Sequence, residues 1–274
     1  MKKLFEAEHF SLVLSGGGAL GIAHLGVLHD MELYDLVPDE IIGTSMGGIV
    51  GACLAIGMRE HEIYHQLKNF SSVSKWIAFS FSGNALVKTA KIEKMLDTIF
   101  GRRTMSDVLI PLKLIATDLL NGEKKVFDTR DDVLIRDALL ATMAIPGIFE
   151  EKRIGDRIYA DGFLCENLGI GEALFDTVLA VDVLGYNSFE KELPDNFFKT
   201  SNVLEMFERS MRLILYNQTR SVRESSDKNI LLLEPKTEAF KTFHFHKIDE
   251  IRALGMKLLT RRHIEETIKG LSFP

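Results

Sequence analysis

Cysteine is scarce: Cys53 and Cys165 are the two in 274 residues. Two isolated thiols make neither a disulfide framework nor a zinc site, so both read as small buried apolar residues in a reducing compartment. Excess positive charge is missing as well. The 33 Lys and Arg are outnumbered by 39 Asp and Glu, for a formal net charge of −6. That balance argues against a nucleic-acid partner, whose affinity comes mainly from Lys and Arg on phosphates. Near the start, Lys2 and Lys3 are followed by Glu6 and Glu8, not by an apolar signal region, so a cytoplasmic protein is expected. Internal repeats, low-complexity tracts and an obvious linker are absent. The chain therefore reads as one domain, with a catalytic core over 8–190 and a more helical part of the same domain over 191–274.

One uncharged run, Ile41 to Met58, is long enough to suggest a membrane span. It also holds Gly43, Gly47, Gly48, Gly51 and Gly57, with Thr44 and Ser45 among them. A buried strand, a sharp turn and a buried helix suit that composition better.

Apolar periodicity lays out the rest. Phe10 to Leu14 is a short buried strand stopped by Ser15-Gly16-Gly17-Gly18, and a helix is expected from Ala19 to Leu33. Glu40 to Gly43 is a second strand, and Met46 to Ile56 a second helix. Strand and helix alternating at this spacing imply a parallel sheet covered by helices. Further helices are expected over Arg59 to Phe70, Lys91 to Phe100, Val133 to Thr142, Asn202 to Glu224 and Ile248 to Ile268. Leu112 to Thr117 and Lys124 to Asp128 are strands around the Asn121-Gly122 turn, a hairpin signal. Short strands flank Gly155-Asp156, and Thr177 to Asp182 and Ile230 to Leu233 close the set.

Chemistry concentrates at a few points. Gly43-Thr44-Ser45-Met46-Gly47 is a G-x-S-x-G between an apolar strand and an apolar helical run. A serine on a sharp strand-to-helix turn has a strained backbone, so its flanks must be small, and its hydroxyl stands exposed at the strand end. The helix N-terminus behind it favours developing negative charge. Gly16 to Gly21 also follows a strand and opens a helix, which lets backbone N–H groups converge on an oxyanion or a phosphate. Its glycines obey the dinucleotide pattern G-x-G-x-x-G. That reading requires an acidic residue ending the next strand, and here Glu40 begins that strand instead.

A serine nucleophile needs a base. His244, His246 or His263 would complete an α/β-hydrolase triad, but that fold places several strands before its nucleophile, and only 44 residues precede Ser45. A carboxylate acting directly is the other solution. Asp161-Gly162 ends a short strand, although an Asp-Gly taken alone is a hairpin turn. His24, one turn inside an apolar face, reads as a hydrogen-bonded core histidine. Asp118 fits a site support and a turn cap equally.

Taken jointly, these blocks resemble the patatin-like phospholipases, the small bacterial members in particular. Ser15 to Leu28 resembles the family's oxyanion block and Gly43 to Gly48 its nucleophile block. Thr117-Asp118-Leu119, Gly122-Glu123, Ala144 to Phe149, Asp161-Gly162 and Asn167 resemble its third region. The resemblance covers about residues 10 to 183. It implies a three-layer α/β/α sandwich with a mostly parallel central sheet. Ser45 is then the nucleophile and Asp161 the proton acceptor. Gly16, Gly17, Gly18 and Met46 form the oxyanion hole, supported by Gly21, Gly43, Gly47 and Gly162. The implied activity is hydrolysis of lipid acyl esters, of phospholipase or lysophospholipase type, independent of calcium, with no metal and no cofactor. A thioesterase or protein deacylase with the same dyad is the alternative, as is a lipid-binding regulatory protein on the same fold.

The chain departs from the family pattern at Leu20, where an arginine is common, and at Ala141-Thr142, where Ala-Ser is common. Phe163 and Leu168 also stand where smaller residues or proline are usual, and Phe163 is expected to reshape the pocket. The expected partners are an acyl-ester substrate and, transiently, a membrane surface. The segment 72–88, with Trp76, Phe79 and Phe81, is the expected lipid contact, while the apolar residues of 202–224 are expected in the core.

Overall fold

The short apolar runs become strands of one sheet. The structure, a computed structural model, describes residues 9–69, 90–189 and 203–265. Its strands are β1 (Phe10–Leu14), β2 (Glu40–Thr44), β3 (Leu112–Asp118), β4 (Lys124–Phe127), β5 (Lys152–Ile154), β6 (Arg157–Asp161), β7 (Thr177–Val181) and β8 (Asn229–Leu233). Traced from one hydrogen-bonded neighbour to the next they run β5-β6-β3-β2-β1-β7-β8, with β4 also paired to β3. The run β3-β2-β1-β7-β8 is parallel, whereas β4 and β6 are antiparallel to β3 and β5 to β6. Every residue of β1, β2 and β7 is buried. Strands covered on both faces have no need of polar alternation, which is why these runs are mostly apolar.

The helices are α1 (Ala23–Leu33), α2 (Ser45–Ala55), α3 (60–69), α4 (Ala90–Phe100), α5 (Ile135–Thr142), α6 (Val203–Glu224) and α7 (Ile248–Gly255). Leu12, Leu14, Ile41, Leu114, Leu179 and Val181 of the sheet share a core with α1, α2 and α5. Their neighbours Val13, Ile42, Ile115, Val178 and Ala180 point the other way, onto Leu168, Ile170 and Val222. Period-two alternation thus sends one apolar set to each face, and the result is an α/β/α sandwich with a mostly parallel central sheet. The chain leaves β1 for β2 on one side and reaches β7 on the other, so the C-terminal end of β1 is a switch point. Ligands of open α/β sheets bind there.

Several expectations change. Ile41 to Met58 divides into β2 and α2, and no helix of the described residues is long and apolar enough to cross a membrane. The helix expected from Ala19 begins at Ala23, after a 3-10 turn over Gly18–Ile22. The closing helix breaks after Gly255, where Met256 turns extended and Lys257 takes φ 63°, and a short helical turn resumes at Arg261–His263. At that break Gly255 and Gly26 let α7 and α1 touch backbone to backbone. Cys53 is buried, its thiol pushed up to about 12 by burial, but Cys165 is only half-buried, its Sγ donating to the Gly122 carbonyl at 3.3 Å. On α6, Leu215 is in the core, yet Phe207 and Ile214 are 64% and 58% exposed, because that face of the helix meets solvent. Segment 72–88 lies outside the described residues.

Candidate active site

Strand pairing brings two distant side chains together. On β3, residues 112–115 pair with β2, 114–117 with β4 and 116–118 with β6. A strand has two edges, and β4 overlaps both other partners. Hence β2 and β6 occupy the same edge, running head-on. Thr44 ends β2 opposite Ile115, and Asp161 ends β6 opposite Ala116, the next residue along. Ser45, one residue past the end of β2, therefore emerges beside Asp161.

Ser45 opens α2 with φ 53°, a left-handed conformation that costs a non-glycine residue about 1–3 kcal/mol. Small neighbours permit the turn. A Cβ on Gly43 would lie 2.6 Å from Gly48 Cα, and one on Gly47 would strike the Leu14 carbonyl. The Ser45 N–H donates to Thr142 Oγ1 at 2.9 Å, and the Thr142 hydroxyl donates in turn to the Ile115 carbonyl.

Asp161 is fully buried. Its N–H donates to the Ala144 carbonyl at 2.9 Å, and its carbonyl accepts from Thr117 Oγ1 at 3.0 Å. Oδ1 accepts from the Phe163 N–H at 3.0 Å, while Oδ2 makes no hydrogen bond of acceptable geometry. Burial raises the carboxyl to about 7, against the opposing pull of the Ser45 hydroxyl and the Phe163 N–H. The Ser45 hydroxyl is thus close enough to act on this carboxyl without being aligned to it, as is common before a substrate binds.

The glycine loop supplies fewer donors than expected. The Gly16 N–H is turned onto the Asn167 carbonyl at 3.3 Å, so Gly16 is withdrawn from the donor set and serves as a close-packing residue. Among the described residues the N–H groups of Gly17 and Gly18 have no backbone partner outside the 3-10 turn, and Met46 lies in the first turn of α2, where N–H groups lack intrahelical acceptors. Gly18 has φ 56°, and the loop is seated by the Ala19 N–H donating to the Thr242 carbonyl at 2.8 Å. Gly21 makes room for Met46, since a Cβ there would lie 2.5 Å from Met46 Cγ. A Cβ on Gly162 would lie 2.9 Å from Thr44 Cγ2.

His24 Nε2 donates to the Ser15 carbonyl at 2.9 Å, and burial holds the ring down to about 4, so it is a neutral core histidine. Asp118 caps the hairpin through the Leu120 N–H at 2.9 Å and pairs with Arg157 at 3.2 Å. His244 Nδ1 accepts from Lys241 N and His263 Nδ1 from Thr260 N, each closing a local turn.

Sequence reasoning missed three supports. Thr142 departs from Ala-Ser but keeps a hydroxyl, which is the available signal. Gln218 of α6 clamps the segment after Asp161: its Nε2 donates to the Cys165 carbonyl at 2.8 Å and its Oε1 accepts from the Asn167 N–H at 2.8 Å. Thr242 had no local signal at all.

Fold and site together define an α/β protein with a strained serine turn abutting a buried carboxylate. The chain belongs to the patatin-like phospholipase family, whose model matches residues 12–174. It is 26% identical over 292 residues to lysophospholipase NTE1 of Debaryomyces hansenii, covering 95% of this chain and 18% of that protein. It is 27% identical over 187 residues to an uncharacterized NTE family protein of Mycobacterium bovis, covering 67% of this chain and 32% of that protein. The chain thus spans less than a third of the length of these relatives. VipD from Legionella pneumophila superposes with a TM-score of 0.47 at 13% identity, over 90% of this chain and 67% of that one.

Proposed function

We propose that this protein is a serine acyl hydrolase that cleaves lipid acyl esters with Ser45 as nucleophile and Asp161 as its base. The observation that carries the reading is the head-on meeting of β2 and β6, which sets a strained Ser45 against a buried carboxyl with a free oxygen. Family membership and the lysophospholipase among its relatives support a lipid ester as substrate.

In the first step Asp161 takes the Ser45 proton as Oγ adds to the ester carbonyl. The N–H groups of Gly17, Gly18 and Met46 hold the oxyanion, and the positive end of α2 favours the same charge. Collapse of the intermediate returns the proton to the departing alcohol. In the second step Asp161 removes a proton from water, which attacks the acyl-enzyme and frees the fatty acid. Neither step calls on calcium or a cofactor. The core over 8–190 carries the chemistry, with 191–274 as part of the same domain, in a cytoplasmic protein that meets lipid at a membrane surface.

A fluorophosphonate probe and a short-chain ester test the reading. The parent should be labelled at Ser45 and turn over the ester, and Ser45→Ala and Asp161→Asn should each abolish turnover while the fold is kept. Because the two residues act as one unit, the double variant should be no worse than either single one. Near-parent turnover by Asp161→Asn would rule out the dyad.

A further inference from the structure

Asn167 carries a fully buried side-chain amide, and among the described residues neither its Nδ2 nor its Oδ1 has a hydrogen-bond partner. An unpaired buried polar group destabilises the fold that holds it, so it stands out in a folded core. Its position is fixed by Gly16. A Cβ on Gly16 would lie 2.7 Å from Asn167 Oδ1 and 3.2 Å from Ser45 Cβ, so the amide and the nucleophile border the same point.

Asn167 also removes a donor from the site, because its carbonyl engages the Gly16 N–H at 3.3 Å. Its side chain can restore that donor. The two ends of the amide have the same shape, and a turn of the group brings Nδ2 to the face that Oδ1 occupies. The backbone beneath is held firmly. Gln218 accepts from the Asn167 N–H at 2.8 Å and donates to the Cys165 carbonyl at 2.8 Å, and Leu168 next in sequence is buried in the core. A donor held by rigid surroundings stabilises developing charge without reorganising.

We propose that Asn167 is a further catalytic residue, its Nδ2 donating to the oxyanion beside the N–H groups of Gly17 and Gly18. This rests on Ser45 being the nucleophile. As the Ser45 Oγ–carbon bond forms, the carbonyl π pair moves to oxygen and the Ser45 proton passes to Asp161. Asn167 takes no proton and binds only the charge.

The test uses Asn167→Ala and the near-isosteric, uncharged Asn167→Leu at pH 8, with kcat and KM for a short-chain ester, the melting temperature, and the affinity of a trifluoromethyl ketone whose adduct oxygen occupies the hole. Loss of one such donor should lower kcat about 10²- to 10³-fold. KM should stay within about threefold, the melting temperature should hold or rise, and ketone affinity should fall in step with kcat/KM. A kcat within tenfold of the parent in either folded variant overturns the assignment, as does unchanged ketone affinity. If Asn167→Ala does not fold, Asn167→Leu, which keeps the volume, carries the test. Loss of the fold in both makes Asn167 structural and overturns the proposal too. A parent that is neither labelled by fluorophosphonate nor active fails the Ser45 reading itself, whereas a labelled, active parent with unaffected variants fails only Asn167.

Discussion

The Ser45 amide and the Thr142 hydroxyl are joined at 2.9 Å, and the same hydroxyl is anchored on the Ile115 carbonyl of β3. The Ser45 turn is thereby tied to the strand that also aligns Asp161. Thr142→Val keeps the shape and removes the tie, leaving a buried N–H without an acceptor at a cost of about 1–3 kcal/mol. Ester turnover should fall at least tenfold, while Thr142→Ser, which keeps the hydroxyl, should stay within about threefold. Parent-like turnover by Thr142→Val would show that the tie does not position Ser45.

The pH dependence follows from Asp161. A base must be ionised, and burial raises this carboxyl to about 7. Activity on a neutral ester should therefore fall tenfold per pH unit below about 7, with a plateau above it. A limb centred near 4 would mean that another group controls the rate.

Stability should show the opposite sign. With its pKa raised in the folded state, Asp161 holds its proton more tightly folded than unfolded. That contribution is fully present below the unfolded value of 3.8, declines as pH rises above it, and is gone above about 7. Asp161→Asn removes a buried charge and should raise the melting temperature at pH 8 by several degrees, but by little at pH 4. An equal shift at both values would assign the effect to packing.

Strain at Ser45 is measurable apart from catalysis. Ser45→Gly relieves the φ of 53° and Ser45→Ala does not, although both remove the hydroxyl. Thermal unfolding should place the glycine variant about 1 kcal/mol above the alanine variant. If alanine is equally stable, the turn stores no backbone strain.

No histidine should be essential. Replacing His244, His246 and His263 together by asparagine should leave turnover within about tenfold, since His244 and His263 close local turns and the proposed base is Asp161. A loss on the scale of Ser45→Ala would restore a histidine triad.

Much of the sheet was legible because its signals are local. Apolar runs marked β1, β2 and β7, the first two ending at glycine turns, and Asn121-Gly122 marked the β3–β4 hairpin. The break in the closing helix was not legible because an apolar period continues past Gly255, while the left-handed Lys257 leaves no trace in composition. The burial expected along α6 failed at Phe207 and Ile214 for a related reason: a moment shows that a helix has an apolar face, not which residues of it a neighbour covers.

By itself the sequence determined the strand-turn-helix around Ser45. The small residues that a left-handed serine requires must be its immediate neighbours, so the requirement is written at fixed spacing. It left Asp161 as a turn residue on its own evidence, and only the family resemblance singled it out. Tertiary structure decided that this carboxylate meets Ser45, because β2 and β6 share one edge of β3 in adjoining register. It also decided that Gly16 points its N–H at Asn167, that Thr142 holds the Ser45 amide, and that Gln218 clamps the loop after Asp161. Register and hydrogen-bond direction belong to pairs of segments far apart in the chain, and no periodicity within either segment encodes them.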